Sequence, residues 1–406
     1  MRKTLGMGAV AIASALVLAG CSGGDTETET ASGDGAELVI WTDAEREDAI
    51  RAAADAFEEE TGATITLVQK NFEDLRNDFI AQVPTGEGPD ITVGAHDWLG
   101  ALVTAGVVNT IDLGDAASEF EPVALEAMTY DGQLYALPYS LETVALLQNV
   151  DLVGDEAPTD WDDLVERGLE SGAERPFVIN TAGETGDGYT MYGLQTSFGA
   201  PVFVQDDTGS YTTEVGMGGA EGEAFAQWLS ENGSDGTGYL STTIDYDINL
   251  ELFRSGETPY TVQGPWVVNE FPDLELAVNP IPSAGGETAA PFVGVQGFYL
   301  SSQSENELLA TEFLVNFLGQ EDAQRALYEA DPRIPAYSTV AEEAASDPIT
   351  AGFLASAQNG VPMPSIPEMG SVWDLWNSAE SQIISGADPV DTWNSMVVDL
   401  ESTLEG

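Results

Sequence analysis

One cysteine, one histidine and two lysines are all that 406 residues hold of these three types. Each shortage excludes something. A lone cysteine, Cys21, permits no internal disulfide. With Cys21 otherwise used, His96 by itself cannot assemble a Ser-His or Cys-His pair or a multi-histidine metal site. Neither Lys3 nor Lys70 lies in a glycine-rich loop, which removes a Walker-type phosphate site. Basic residues number 11 against 70 acidic ones, a net charge of −59, so nucleic-acid phosphates and anionic lipid head groups would repel the chain. Seventy acids make some carboxylate pair inevitable, so no pair picked out by eye points to glycoside hydrolysis. His96, in "DITVGAHDWLG", is expected to be a hydrogen-bonded structural residue.

What is present begins with a leader. Arg2 and Lys3 precede the apolar run "GMGAVAIASALVLAG", too short for a membrane span, and the run meets Cys21. The ending "LAGC" resembles a bacterial lipobox, which implies a signal peptide over residues 1–20, cleavage before Cys21 and a lipid on that cysteine. Residues 21–36 ("CSGGDTETETASGDGA") carry no large apolar side chain and read as a flexible tether. Without the leader, 9 basic residues face 70 acidic ones, a net of −61 spread along the sequence as a solvated acidic surface. Hydrophobic residues make up 43 %, enough for a large core in two to three domains.

The folded part opens on "ELVIW", a buried-strand run. Ile50, Ala53, Ala54 and Phe57 then recur at helical spacing, and Gly62 is placed to end that helix. "TITLVQ" predicts a second strand, residues 71–84 a second helix, "DITVG" a third strand and "DWLGALVTAG" a helix closed by glycine. This alternation predicts a parallel, doubly wound sheet with a ligand crevice beyond the carboxyl ends of its strands. Trp41, Asp43, His96, Asp97 and Trp98 all follow strand ends and are expected at that crevice. "YDGQLYALP" reads as a hairpin through its Asp-Gly turn, and a long apolar run follows.

Seven stretches, in order and at matching spacing, resemble the maltose- and maltodextrin-binding proteins of bacterial ABC importers. They are "LVIW", "TGEGPDI", "AHD", "LPYSLETVALLQN", "DYDINLELFRSGETPYTVQGPW", "PFVGVQGFYLSS" and "MPSIPEMGSVWDLW". The resemblance covers nearly the whole mature chain. "GPDI" alone is common among solute-binding proteins, whereas the "GETPYTVQGPW…PFVGV…MPSIPEM…W" series is specific. It implies a two-lobe α/β fold of the periplasmic-binding-protein type, with a hinge and a ligand cleft between the lobes. Lobe 1 would be residues 37–140 with 298–342, and lobe 2 residues 145–292 with 349–406. Hinge segments would be 141–144, 293–297 and 343–348, and the "GVQG" within the second bends cheaply.

Carried over position by position, the family's aromatic platforms fall on Tyr189, Tyr246, Trp266 and Trp373, and its hydroxyl-binding acids on Asp97, Glu142 and Asp187. The physics agrees, because a pyranose shows an apolar C–H face to an aromatic ring and an edge of hydroxyls to acids and amides. Trp161, Trp228 and Trp393 are expected to be packing residues. Departures are as informative. Where the family has an Asp-Lys pair, "TDAER" offers Asp43, Glu45 and Arg46. An expected lysine is Asp74, the tryptophan before "AHD" is Gly94, the arginine after it is Trp98, and an arginine past Trp373 is Asn377. Three basic contacts are thus lost, and Trp98 is a candidate substitute platform.

The resemblance implies a lipid-anchored, extracytoplasmic, monomeric binding protein that delivers a maltooligosaccharide to an ABC permease, with no catalysis, cofactor or metal. The alternatives are trehalose or a non-glucose oligosaccharide as ligand and, from another class, a lipid-anchored glycoside hydrolase.

Overall fold

The computed structural model describes residues 35–206 and 211–404. The expected leader, Cys21 and nearly all of the tether lie outside the described residues. The first half follows the sequence pattern closely. Strand β1 (Glu37–Thr42) leads into helix α1 (Glu47–Thr61), whose first turn carries Glu47 and Asp48 on the positive end of the helix dipole. Gly62 ends it in the left-handed conformation (φ 75°), its N–H bonded to the Glu58 carbonyl. Strand β2 (Thr64–Gln69), helix α2 (Phe72–Gln82), strand β3 (Ile91–Ala95) and helix α3 (Leu99–Ala105) follow. The Asp-Gly hairpin forms as read, with Asp131 and Gly132 both at positive φ.

Two sheets result. The first has seven strands: β1, β2 and β3 joined by β4 (Ala136–Thr143), β9 (Phe292–Leu300), β10 (Ile334–Pro335) and β11 (Val361–Pro362). Its order is β10-β4-β9-β3-β1-β2, with β11 beside the start of β9. The second sheet has four: β5 (Ala145–Asn149), β6 (Val178–Ile179), β7 (Tyr260–Gln263) and β8 (Leu276–Asn279), in the order β8-β5-β7-β6. The expected parallel pairing holds for β1, β2 and β3, and recurs where β11 meets β9 and where β6 meets β7. Strand β9 enters antiparallel between β3 and β4, so the sheet is mixed. A buried strand presents the same continuous apolar run in either direction, which is why the sequence did not distinguish them.

Only Val144 separates β4 in the first sheet from β5 in the second. Along β5 the side chains alternate between two cores. Ala145 and Leu147 join the larger core, and Leu146, with Val144, joins the other. The larger core lines the first sheet and continues onto one face of the second, through Leu250, Phe253, Val278 and Phe353. The other face is closed by an aromatic cluster in which Trp161, Trp228 and Trp393 are buried, as expected of packing residues. Residues 280–291 return the chain to β9, whose pairing with β4 shifts register between Gln296 and Gly297. A Cβ on Gly297 would meet Leu137 O at 2.9 Å, so that close approach requires glycine. After β10 the chain crosses again into helix α6 (Pro348–Asn359), whose Gly352 lies against the Val278 carbonyl of β8. Among the described residues no helix is long and apolar enough to cross a membrane.

Candidate functional site

The loop after β1 builds one wall. Asp43 turns the chain by accepting from the Glu45 and Arg46 backbone N–H groups at 3.1 and 3.2 Å. Arg46 then folds back over that turn. Its Nη1 reaches Asp43 Oδ2 at 2.5 Å, its Nε donates to the Tyr139 hydroxyl at 2.8 Å, and its Nη2 donates to Glu142 at 3.1 Å. The guanidinium also lies 4.6 Å above the Phe72 ring. Glu142, 4 % exposed on β4, accepts in addition from Arg333 and from Gln296 Nε2 at 2.9 Å, and Arg333, 1 % exposed, pairs with Asp331 as well. Burial pushes the Glu142 carboxyl up, but Arg333 and Arg46 together hold it below the ordinary glutamate value. Asp43 behaves alike: burial raises it, and Arg46 leads the groups that bring it below normal.

A carboxylate has about four acceptor sites, and those of Glu142 are occupied by Arg46, Arg333 and Gln296. The resemblance made Glu142 a sugar-hydroxyl acceptor. Here it is the centre of a buried ion network tying the β1 loop to β4, β9 and the segment before β10. Sequence reading missed Arg333, Asp331, Tyr139 and Gln296. The available signal was an arginine inside "DPRIPA", next to a buried strand, in a chain poor in arginine.

Asp97 differs. One oxygen, Oδ1, is enclosed with no hydrogen-bond partner, and burial pushes its carboxyl up to about 6, opposed by Arg76. Its position is set by His96, which is hydrogen-bonded at both ring nitrogens. Nδ1 accepts from the Val295 N–H at 3.1 Å, which leaves Nε2 to donate to the Met363 carbonyl at 3.0 Å. Burial pulls that imidazole down to about 4, so it is neutral at physiological pH. Thus one ring ties the turn carrying Asp97 to β9 and to the segment after β11.

Trp98 is not an open platform. It is 7 % exposed, 4.9 Å from Phe72, and its ring lies on Gly94, where a Cβ would come within 2.5 Å. The two departures from the family pattern are therefore one event, a tryptophan lost at 94 and its volume refilled from 98. Trp41, expected at the crevice, is instead a core residue against Phe79 with Lys70 over its ring.

The facing wall is aromatic. Helix α4 (Gly188–Thr196) starts at Asp187, whose carboxylate accepts from Thr190 N at 3.1 Å, Thr190 Oγ1 at 2.6 Å and Asn180 Nδ2 at 2.7 Å. Asn377, on helix α7 (Trp373–Ile384), accepts from Gly188 N at 2.9 Å, and its carbonyl packs on Gly186, held at φ +92°. Asp187 and Asn377 thus support the turn that presents Tyr189, rather than standing open for ligand. Tyr189 lies 6.4 Å from Trp266 and 6.2 Å from Phe292, and Phe292 is 6.2 Å from Trp373. These aromatics reach one place from three segments. Trp266 follows β7; its indole folds back over Gly264, a position no side chain could share, and Pro265 starts the short turn that holds it. It is half-buried and touches both cores. Burial is the largest influence on the Tyr189 hydroxyl and raises it, followed by Glu142, Asp187 and Asp97. Tyr246 opens helix α5 (Tyr246–Arg254); burial raises its hydroxyl, then the exposed Glu45 from the opposite side.

Half-buried aromatic faces opposite a carboxylate with a spare oxygen suit a ligand with an apolar face and a hydroxylated edge. Among the described residues no group of His, Cys, Asp and Glu is arranged to hold a metal.

Residues 52–352 match the model of a family described as bacterial extracellular solute-binding proteins. The chain is 28 % identical to a galactooligosaccharide-binding protein of Bacillus subtilis, over 96 % of this chain and 94 % of that one. It is 27 % identical to a maltooligosaccharide ABC transporter solute-binding lipoprotein of Streptococcus pneumoniae, over 97 % and 94 %. Among solved structures, the maltotriose binding protein of Thermus thermophilus bound with maltotriose superposes with a TM-score of 0.82 at 27 % identity, covering 90 % of this chain and all of that one.

Proposed function

The chain belongs to the bacterial extracellular solute-binding proteins, and from that premise we propose that it captures a maltooligosaccharide for an ABC permease. The observation that carries the reading is the meeting of Tyr189, Trp266 and Trp373, from three separate segments, opposite Asp97. Aromatic faces bury the C–H faces of glucose rings, and Asp97 accepts from a hydroxyl at their edge. The similarity to a maltooligosaccharide lipoprotein and to a maltotriose complex supports the same ligand.

In this reading the lobes are residues 37–140 with 298–342 and 145–292 with 349–406, hinged at 141–144, 293–297 and 343–348, and the passage from the seven-stranded to the four-stranded sheet at Val144 supports it. Sugar bridging both walls favours the closed arrangement, and that shape docks on the permease. In this reading a lipid on Cys21 holds the monomer at the outer face of the membrane, and the description of the streptococcal relative as a lipoprotein supports it. Calorimetric titration with maltose, maltotriose and a galactooligosaccharide tests the ligand. Maltotriose binding tightest is expected; a preference for the galactooligosaccharide would transfer the assignment to the sugar of the Bacillus relative.

A further inference from the structure

Seven of the nine basic residues after the leader are held in ion pairs: Arg46, Arg51, Lys70, Arg167, Arg254, Arg325 and Arg333. With 70 acids available, that is the expected fate of a cation here. Arg76 and Arg175 are the exceptions. Arg175 precedes β6, while Arg76 is half-buried on α2, with no side-chain hydrogen bond or ion pair among the described residues. Arg76 is nevertheless close enough to Asp97 to be the main group opposing the effect of burial on that carboxyl. A spare cation and a carboxylate with an enclosed, unpartnered oxygen thus stand near each other without pairing.

Phe72 lies one turn earlier on the same face of α2, since residues four apart are neighbours on a helix. That face is turned to the site, because Phe72 carries the Arg46 guanidinium on its ring and touches Trp98, next to Asp97. Asp74, which replaces a lysine of the family, sits about 200° round the helix from Arg76; it is exposed and hydrogen-bonded to Asn71.

We propose that Arg76 is a ligand-binding residue, which donates two N–H groups to adjacent sugar hydroxyls while Asp97 accepts from one of them, with Phe72 as the apolar floor beside the pair. The guanidinium fork suits two neighbouring oxygens, and the spare oxygen of Asp97 takes the hydroxyl hydrogen that a cation cannot accept. This inference rests on the reading of the cleft as a sugar site. It replaces one of the three basic contacts missing from the family pattern and assigns the first-sheet wall its cation.

The test is calorimetric titration of maltotriose into the wild type, Arg76→Ala, Arg76→Lys, Asp97→Asn and the double variant Arg76→Ala/Asp97→Asn. Arg76→Ala and Asp97→Asn should each weaken binding about 10- to 100-fold, the usual loss for a hydrogen bond to a charged group. The double variant should lose less than the product of the two, and Arg76→Lys should recover part of the affinity. Because Arg76 has no side-chain hydrogen bond or ion pair among the described residues, melting of the empty variant should be unchanged. A pH series adds a readout that a merely structural residue would not move. The charged and titratable groups acting at Asp97 are Arg76 on α2, Tyr299 on β9 and Tyr189 on α4. Wild-type binding should fall with a midpoint at about pH 6 as Asp97 is protonated, and Arg76→Ala should move that midpoint upward. Wild-type affinity and an unshifted midpoint in Arg76→Ala would overturn the inference and leave the function standing. A wild type that binds no oligosaccharide of the panel would overturn the function, and the inference with it.

Discussion

Replacing Glu142 by glutamine separates a structural carboxylate from a ligand-binding one. The substitution preserves shape and removes one negative charge from a buried set in which Arg46 and Arg333 face Asp43, Glu142 and Asp331. The new amide also turns N–H donors toward guanidinium donors. Removing one partner of a buried pair costs about 3–5 kcal/mol, a large share of a total stability of roughly 5–15 kcal/mol. The pH dependence has a definite sign. Glu142 is held below its ordinary value of 4.5 in the folded protein. Its contribution is therefore complete above that value and is lost as pH falls through the lower folded pKa. Urea unfolding followed by tryptophan fluorescence should show the full gap between wild type and Glu142→Gln at pH 7, and a shrinking gap below about pH 4.5. Maltotriose affinity of the folded variant should change less than about tenfold, well inside the loss from a broken charged hydrogen bond. A stability loss under about 1 kcal/mol, no more than a neutral hydrogen bond is worth, with affinity gone would refute the reasoning and restore Glu142 as a direct sugar contact.

Three further outcomes are expected. Trp266→Ala should abolish most of the sugar-induced fluorescence change and weaken binding by roughly 2–4 kcal/mol; its cost to folding should stay below the about 3–5 kcal/mol of a fully buried tryptophan, and the reverse pattern would make Trp266 a core residue. The melting temperature should rise from dilute buffer to molar NaCl, because 70 acids repel one another and salt screens them; a flat profile would show the acids to be placed without strain. Cys21→Ser should release the protein into the medium with sugar affinity intact, and retention on membranes would rule out the lipid anchor.

The order of strands and helices through α3 was legible because local signals agreed: apolar spacing, then Gly62 and Gly106 ending their helices in the left-handed conformation. The insertion of β9 between β3 and β4 was not, since strand direction depends on where a remote connection returns. At the site, Trp266 is held by a local device that the sequence displays, Gly264 and Pro265 beneath the indole. The surroundings of the acids were less legible. Whether Glu142 keeps an oxygen for ligand depends on partners far away in sequence, Arg333 at 191 positions and Gln296 at 154, while those of Asp187 include Asn180, seven positions off across a turn whose shape the sequence does not spell out. Trp98 is likewise a candidate platform in sequence, and only the fold brings its ring onto Gly94.

The place of β9 also bears on when the molecule can come together. It lies between β3 and β4, so the first sheet stays in two pieces until residues 292–300 have been made, and β11 at 361–362 completes it. Pairings between such distant segments form slowly. Until then β1, β2 and β3 lack the strand that locks them to β4, and the two pieces meet only through segments made late. Any rearrangement of this sequence that brought β9 forward, next to β4, would shorten that separation and speed assembly.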